Sequence, residues 1–254
     1  MMHDLQKASM WKRISAFLFD IILLATVAVG LAFVLSSVLG YERQVDQLEQ
    51  CYSVYETEYA IDFDISAEDY AALTDEQLAV YDEALAALSA DQTFMHTYSL
   101  LINLTLIIIT FSILLACLIF EFLIPLLFGN GQTLGKKIFG IGVMRADGVR
   151  LSPMLLFVRT VLGKYTVEIM LPVLIVIMIY FGYVGILGTA LLVLLALIQF
   201  VLLLVTPART PLHDKLAQTV TVDFASQMIF DSLETLLEYK KRLQEERANA
   251  PEQQ

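Results

Sequence analysis

The sequence predicts an all-α polytopic membrane protein with four transmembrane helices, and three observations carry that prediction. Of 254 residues, 57% are hydrophobic and only 17% are charged, with a mean hydropathy of +0.68. A soluble chain usually holds about 45–50% apolar and about 25% charged residues. Three long apolar runs hold one charge each. The basic residues gather in the segments that one side of a membrane would receive. The expected additions are a short cytoplasmic β-hairpin, an amphipathic helix and an extracytoplasmic helical insertion.

Residues 14–39 carry Asp20 alone, residues 99–128 carry Glu121 alone, and residues 167–206 carry Glu168 alone. A helix needs about 20 apolar residues to cross the hydrocarbon. The first two runs are one span each. As one helix the third would be about 60 Å long, twice the bilayer thickness. It must therefore fold back, giving spans at 167–184 and 187–206 with a turn near Gly182, Gly185 and Gly188. Those glycines suit a turn, and they also suit close packing of two helices. The first run is too long for the apolar part of a cleaved signal, and Asp20 interrupts it. It reads as an uncleaved span.

Four spans put residues 1–13, 129–166 and 207–254 on one side. Those segments hold fifteen of the sixteen basic residues, and the other side has only Arg43. Flanking basic residues stay cytoplasmic, so both termini are expected inside. Residues 40–98 hold fourteen acidic residues, and thus a charge of −13 out of the total −11. Helices are expected there at about 42–60 and 67–90, the second capped by Ser66. Such a cap either attracts cations or is simply a solvated spacer. The acidic balance gives nucleic acid no basic patch to bind. Cys51 and Cys117 lie in unlike segments and imply no disulfide framework.

In residues 129–166, alternation over 138–144 reads as a strand. Asp147-Gly148 is a turn signal, and residues 149–151 can return as the second strand of a hairpin. Pro153 then opens an amphipathic helix, with Leu155, Leu156, Val158 and Leu162 toward lipid while Arg159 and Lys164 snorkel to the headgroups. The stretch after Gly129 fails as a phosphate-binding loop in spacing and context, with Lys137 where Ser or Thr should stand. In the tail, residues 224–247, Ile229, Leu233, Leu236, Lys240 and Leu243 form a short heptad-like seam on an amphipathic helix.

These residues resemble the RDD family, bacterial membrane proteins named for an arginine and two aspartates. Its first block is matched by Arg13 and Asp20 in WKRISAFLFD. Its acidic residue near the end of span two is matched by Glu121. Its Gly-x-Thr-Leu-Gly-Lys signature is matched by Gly131, Thr133, Leu134, Gly135 and Lys136. Its closing stretch is matched by LHDKLAQTV, which carries Asp214. The resemblance covers most of residues 10–223 apart from the acidic insertion. It implies a bacterial cytoplasmic (inner) membrane. For some members transport is suggested, including sodium/proton exchange.

A charge at helix-centre depth is costly, so it faces a partner or water. Asp20 and Arg13 share a helix face, about 10 Å apart along the axis. By its distance from the cytoplasmic end of span two, Glu121 lies at a similar depth. The expectation is a polar cluster in the cytoplasmic half of the bundle, made of Arg13, Asp20, Glu121 and Asp214, with Glu168, Arg209 and His213 in support. It reads either as an ion or proton site or as an ion-pair network that fixes helix register. His3, His96 and His213 lie in three different segments, which argues against a histidine-based metal site, and no cofactor or catalytic triad is expected. Two functions stand side by side. One is a small transporter or cation- or proton-exchange component. The other is a non-transporting scaffold or regulatory subunit of an envelope complex. Four spans are few for a lone carrier and show no internal repeat. The first reading therefore requires a homo-oligomer or an envelope-protein partner.

Overall fold

A computed structural model describes residues 6–206 and 210–249. It is mostly helical, with four helices long and apolar enough to cross a membrane: α1 Met10–Leu39, α5 Gln92–Phe128, α7 Pro153–Tyr180 and α8 Gly185–Val205. The chain divides into two compact units, Ala28–Ser112 and Met1–Val27 with Ile113–Gln254.

In the first of these, α1 ends where Gly40 takes a left-handed turn (φ 68°), and α2 runs Tyr41–Tyr59. Ser66 caps the short helix α3, Ala67–Ala71, accepting from the Asp69 N–H at 3.1 Å. The sequence expectation was one helix over 67–90, but a second start signal intervenes. Thr74 and Gln77 form a reciprocal capping box that opens α4, Asp75–Ala90, and satisfying two orphan donors this way favours a fresh helix start. The core holds Ala84, Leu88 and Phe94. Around it Tyr52 meets Phe63 and Phe94 edge-on at 5.7 and 5.4 Å, and Phe63 meets Tyr81 at 5.6 Å. Aromatic edges on faces supply contact beyond simple burial. They let so acidic a segment pack at all.

The other unit carries the remaining elements. After α5 come α6, Leu134–Ile138, and strand β1, Ile141–Arg145. Then follow α7, α8, helix α9, Leu212–Leu216, strand β2, Thr219–Asp223, and helix α10, Leu233–Asn249. The fold-back between α7 and α8 forms around Gly182, whose φ of 76° suits glycine, while Gly188 packs where a Cβ would come within 2.9 Å of Ile179. One glycine serves the turn and another the packing.

Three local expectations are corrected here. The hairpin does not form. The Asp147-Gly148 turn exists, with the Arg145 N–H bonded to the Val149 carbonyl at 2.9 Å. Yet β1 pairs antiparallel with β2, placing Val143 opposite Thr221 and Arg145 opposite Thr219. Both strands are buried over four residues. A returning strand at 149–151 would have to end at Pro153, too short to cover β1, whereas TVTVD offers four successive β-favouring residues.

Second, the interfacial helix and the third span are one helix, α7. Its Val158–Met170 stretch winds as a π-helix, as does Leu118–Leu123 in α5. The Thr166 hydroxyl bonds the Val161 carbonyl five residues back. This winding turns Arg159 and Lys164 inward, away from the headgroups to which helical spacing assigned them. Third, α10 begins at Leu233 rather than Phe224, because Phe224 bonds back to Gly140 and Ile229 packs beneath Met144, Val220 and Val222.

Candidate functional site

Asp20 fixes the geometry. It is buried on α1, and each carboxylate oxygen has its own donor. Oδ2 accepts from the Thr133 hydroxyl at 2.5 Å, and Oδ1 from the Gly135 N–H at 2.7 Å. The same Thr133 oxygen caps α6, accepting from the Lys136 N–H at 3.3 Å. A carboxylate against free N–H groups at a helix start is a stabilised arrangement. Gly135 lacks a side chain for a stated reason: a Cβ there would lie 2.4 Å from the Ala16 carbonyl oxygen and 2.9 Å from the Asp20 carboxyl. The Gly-Gln-Thr-Leu-Gly-Lys stretch is thus a clamp on the acid of the first span.

Two further acids are closed by cations on α7. Arg159, 2% exposed, donates from Nε to Asp214 Oδ1 at 2.7 Å. Thr219 and Thr221 of β2 donate to the two Asp214 oxygens at 2.9 and 3.1 Å. Burial by itself would raise the Asp214 carboxyl, but the charge and hydrogen bond of Arg159, with the charge of Lys136, outweigh it and hold it far below the ordinary range. Lys164 pairs with Glu121 Oε1, and Thr160 donates to the Glu121 backbone carbonyl at 2.9 Å. Glu121 is 1% exposed, and its Oε2 has no hydrogen-bond partner among the described residues.

Glu168 receives the His213 N–H at 2.9 Å and contacts its Nδ1 at 2.7 Å. Arg159 Nη2 lies 3.0 Å from Nε2 of the same ring. Burial and the Arg159 charge push the His213 pKa below its usual value, against the pull of Asp214 and Glu168. A neutral ring fits both contacts, with Nδ1–H donating to Glu168 and Nε2 accepting from Arg159. Gly163 permits this, since a Cβ there would meet the His213 Cβ at 2.7 Å.

The ionisable groups just described border one cavity of about 490 Å³. Arg13, Asp20, Glu121 and Asp214 line it, as do Glu168 and His213. Arg13 donates to the Thr221 carbonyl at 3.2 Å. Arg209 lies outside the described residues. Lys136 of the motif also lines the cavity, whereas Thr133 and Gly135 stand behind Asp20 and Gly131 beside Val143. Sequence reasoning missed Arg159, Lys164 and Gln199 as cavity residues. The available signal was the lone acid in each of three spans, which demands a partner that Arg13 cannot supply three times.

The Lys136 ammonium has no hydrogen-bond or ion-pair partner among the described residues. Burial, with Arg159 and Lys164 nearby, lowers its pKa from 10.5 to about 8, while Glu121 and Asp214 oppose the shift. A depressed lysine weakens the fold while charged, and the penalty fades as pH climbs from the folded pKa toward the unfolded one. Lys136→Met is therefore expected to melt higher than the natural protein at pH 7. The gap should shrink between pH 8 and 10.5. Thermal unfolding in detergent across that range checks it, and a gap constant with pH would refute the assignment.

Four long apolar helices around buried, compensated charges define an integral membrane protein with a polar interior site. The sequence model of the RDD family matches residues 7–218, and the chain belongs to that family. No curated protein and no solved structure matches it.

Proposed function

We propose that this chain is a small transport or exchange protein of the bacterial inner membrane, both termini cytoplasmic, with the cavity as its working site. The observation that carries the reading is Glu121: its buried Oε2 has no hydrogen-bond partner among the described residues, and the residue borders a space lined by acids and bases alike. Such an oxygen is ready to accept from a cation or a ligand's N–H. The uneven basic residues support the orientation. The small number of spans favours a homo-oligomer or a complex with another envelope protein. No covalent chemistry is assigned to the site.

The test is reconstitution of the purified protein in liposomes, with a proton-sensitive dye and an imposed sodium gradient. Asp20→Asn and Glu121→Gln are each expected to lower flux at least about tenfold, the equivalent of about 1.4 kcal/mol, while insertion and melting remain measurable. A natural protein that moves neither ion would end the exchange reading. The two acids paired with cations, Asp214 with Arg159 and Glu121 with Lys164, favour the alternative, a non-transporting scaffold or regulatory subunit, which crosslinking in native membranes would then identify by its partner.

A further inference from the structure

We infer that the cavity takes a zwitterionic amphiphile whose head carries both an oxyanion and an N–H donor, the chemistry of a phosphoethanolamine lipid. Two residues with opposite needs border the same space. Among the described residues the Lys136 ammonium has no acceptor, and the buried Glu121 Oε2 has no donor. A bare cation would answer the acid and repel the lysine; an inorganic anion would do the reverse. A head with both signs answers both. The space, about 490 Å³, is far larger than a proton or a metal ion needs; one water takes up only about 30 Å³.

The rest of the wall suits a chain. Ile14, Phe17, Ile21 and Leu24 line it along α1, joined by Ile169 and Leu203. Ile14, Phe17 and Ile21 are each about half exposed, so the apolar side is not sealed by protein. Burial holds Lys136 down to about 8, a strain that an oxyanion would relieve. This deepens the proposal above by naming a ligand class, and rests on it only in taking this cavity as the working site.

The experiment is native mass spectrometry of the full chain, loaded with phosphatidylethanolamine or phosphatidylcholine of the same acyl chains. Phosphatidylcholine keeps the phosphate but has no N–H. The natural protein should retain the ethanolamine lipid at least about tenfold better, the worth of one charge-assisted hydrogen bond. Glu121→Gln should level the two lipids, and Lys136→Met should release both. Because Glu121→Gln also removes the partner of Lys164, Ile21→Trp is the second variant: it fills the apolar wall, leaves the charges alone and should release both lipids. Equal retention by the natural protein overturns the inference, as does undiminished retention in Lys136→Met or Ile21→Trp. Free phosphoethanolamine should compete only in large excess. If it competes as well as the lipid does, the site belongs to a soluble zwitterion and the lipid assignment falls. Selective lipid retention without ion flux would sink the exchange reading alone; flux without lipid selectivity would sink this one alone.

Discussion

Arg159→Met is expected to cost about 3–5 kcal/mol of stability, the usual penalty for stripping a buried acid of its cation. Asp214 is 1% exposed, and the guanidinium is its one charged hydrogen-bond donor among the described residues. With arginine gone, the carboxylate keeps only the hydroxyls of Thr219 and Thr221, and the His213 ring loses its donor. Arg159→Lys should recover little, because one ammonium does not reach both Asp214 and the ring in the planar geometry that guanidinium offers. The double variant Arg159→Met with Asp214→Asn should recover most of the loss, since an amide carries no charge to strand. Unfolding in mixed micelles of detergent and SDS measures all three. If the single and the double variant are equally unstable, the pair is not the source of the stability.

Gly135→Ala should be nearly as damaging, although it adds one methyl group. The new Cβ would sit 2.4 Å from the Ala16 carbonyl oxygen and 2.9 Å from the Asp20 carboxyl carbon. The first is backbone, which yields poorly. Either α6 backs away, and Asp20 loses both donors, or α1 bends. Overpacking costs about 1–3 kcal/mol, and a hydrogen bond to a charged group adds about 1.5–3 kcal/mol. Gly30→Ala is the control. That glycine also lies on α1, with nothing within 4 Å of a built Cβ. There alanine should leave the protein as stable or more so, through helix propensity. If both substitutions melt alike, the clamp on Asp20 is not tight.

Much of this architecture is legible in the sequence, and the parts that are not share a cause. Apolar length marks the four spans because hydrocarbon thickness is a local constraint on consecutive residues. Likewise, Thr133 and Gly135 are visible as a motif, since a cap and a close approach need those residue types. Their service to Asp20 is hidden, because Asp20 lies 113 residues from Thr133. Arg159 and Lys164 were assigned to headgroups by a periodicity that assumes α-helical winding. Each bond spanning five residues instead of four rotates them toward the acids. The β1–β2 pairing joins segments separated by three helices, and no local pattern encodes that choice. The clustering of Arg13, Asp20, Glu121 and Asp214 around one space follows from the cost of charge in an apolar medium. The identity of each partner does not.

The pairing of β1 with β2 bears on the order in which the ribosome delivers the parts. Strand β2 also takes in the N-terminus, since the Asp223 N–H bonds the Gln6 carbonyl at 2.8 Å and Lys7 bridges to Val222. Asp214, Thr219 and Thr221 all emerge after the last span has been made. Until then Arg159 lacks its hydrogen-bonded partner Asp214, and the Thr221 carbonyl that Arg13 meets has not been made. A nascent chain thus carries an unfinished interior through most of its synthesis and closes it with one late stitch. A chain halted before Leu212 would keep all four spans and never complete the lock.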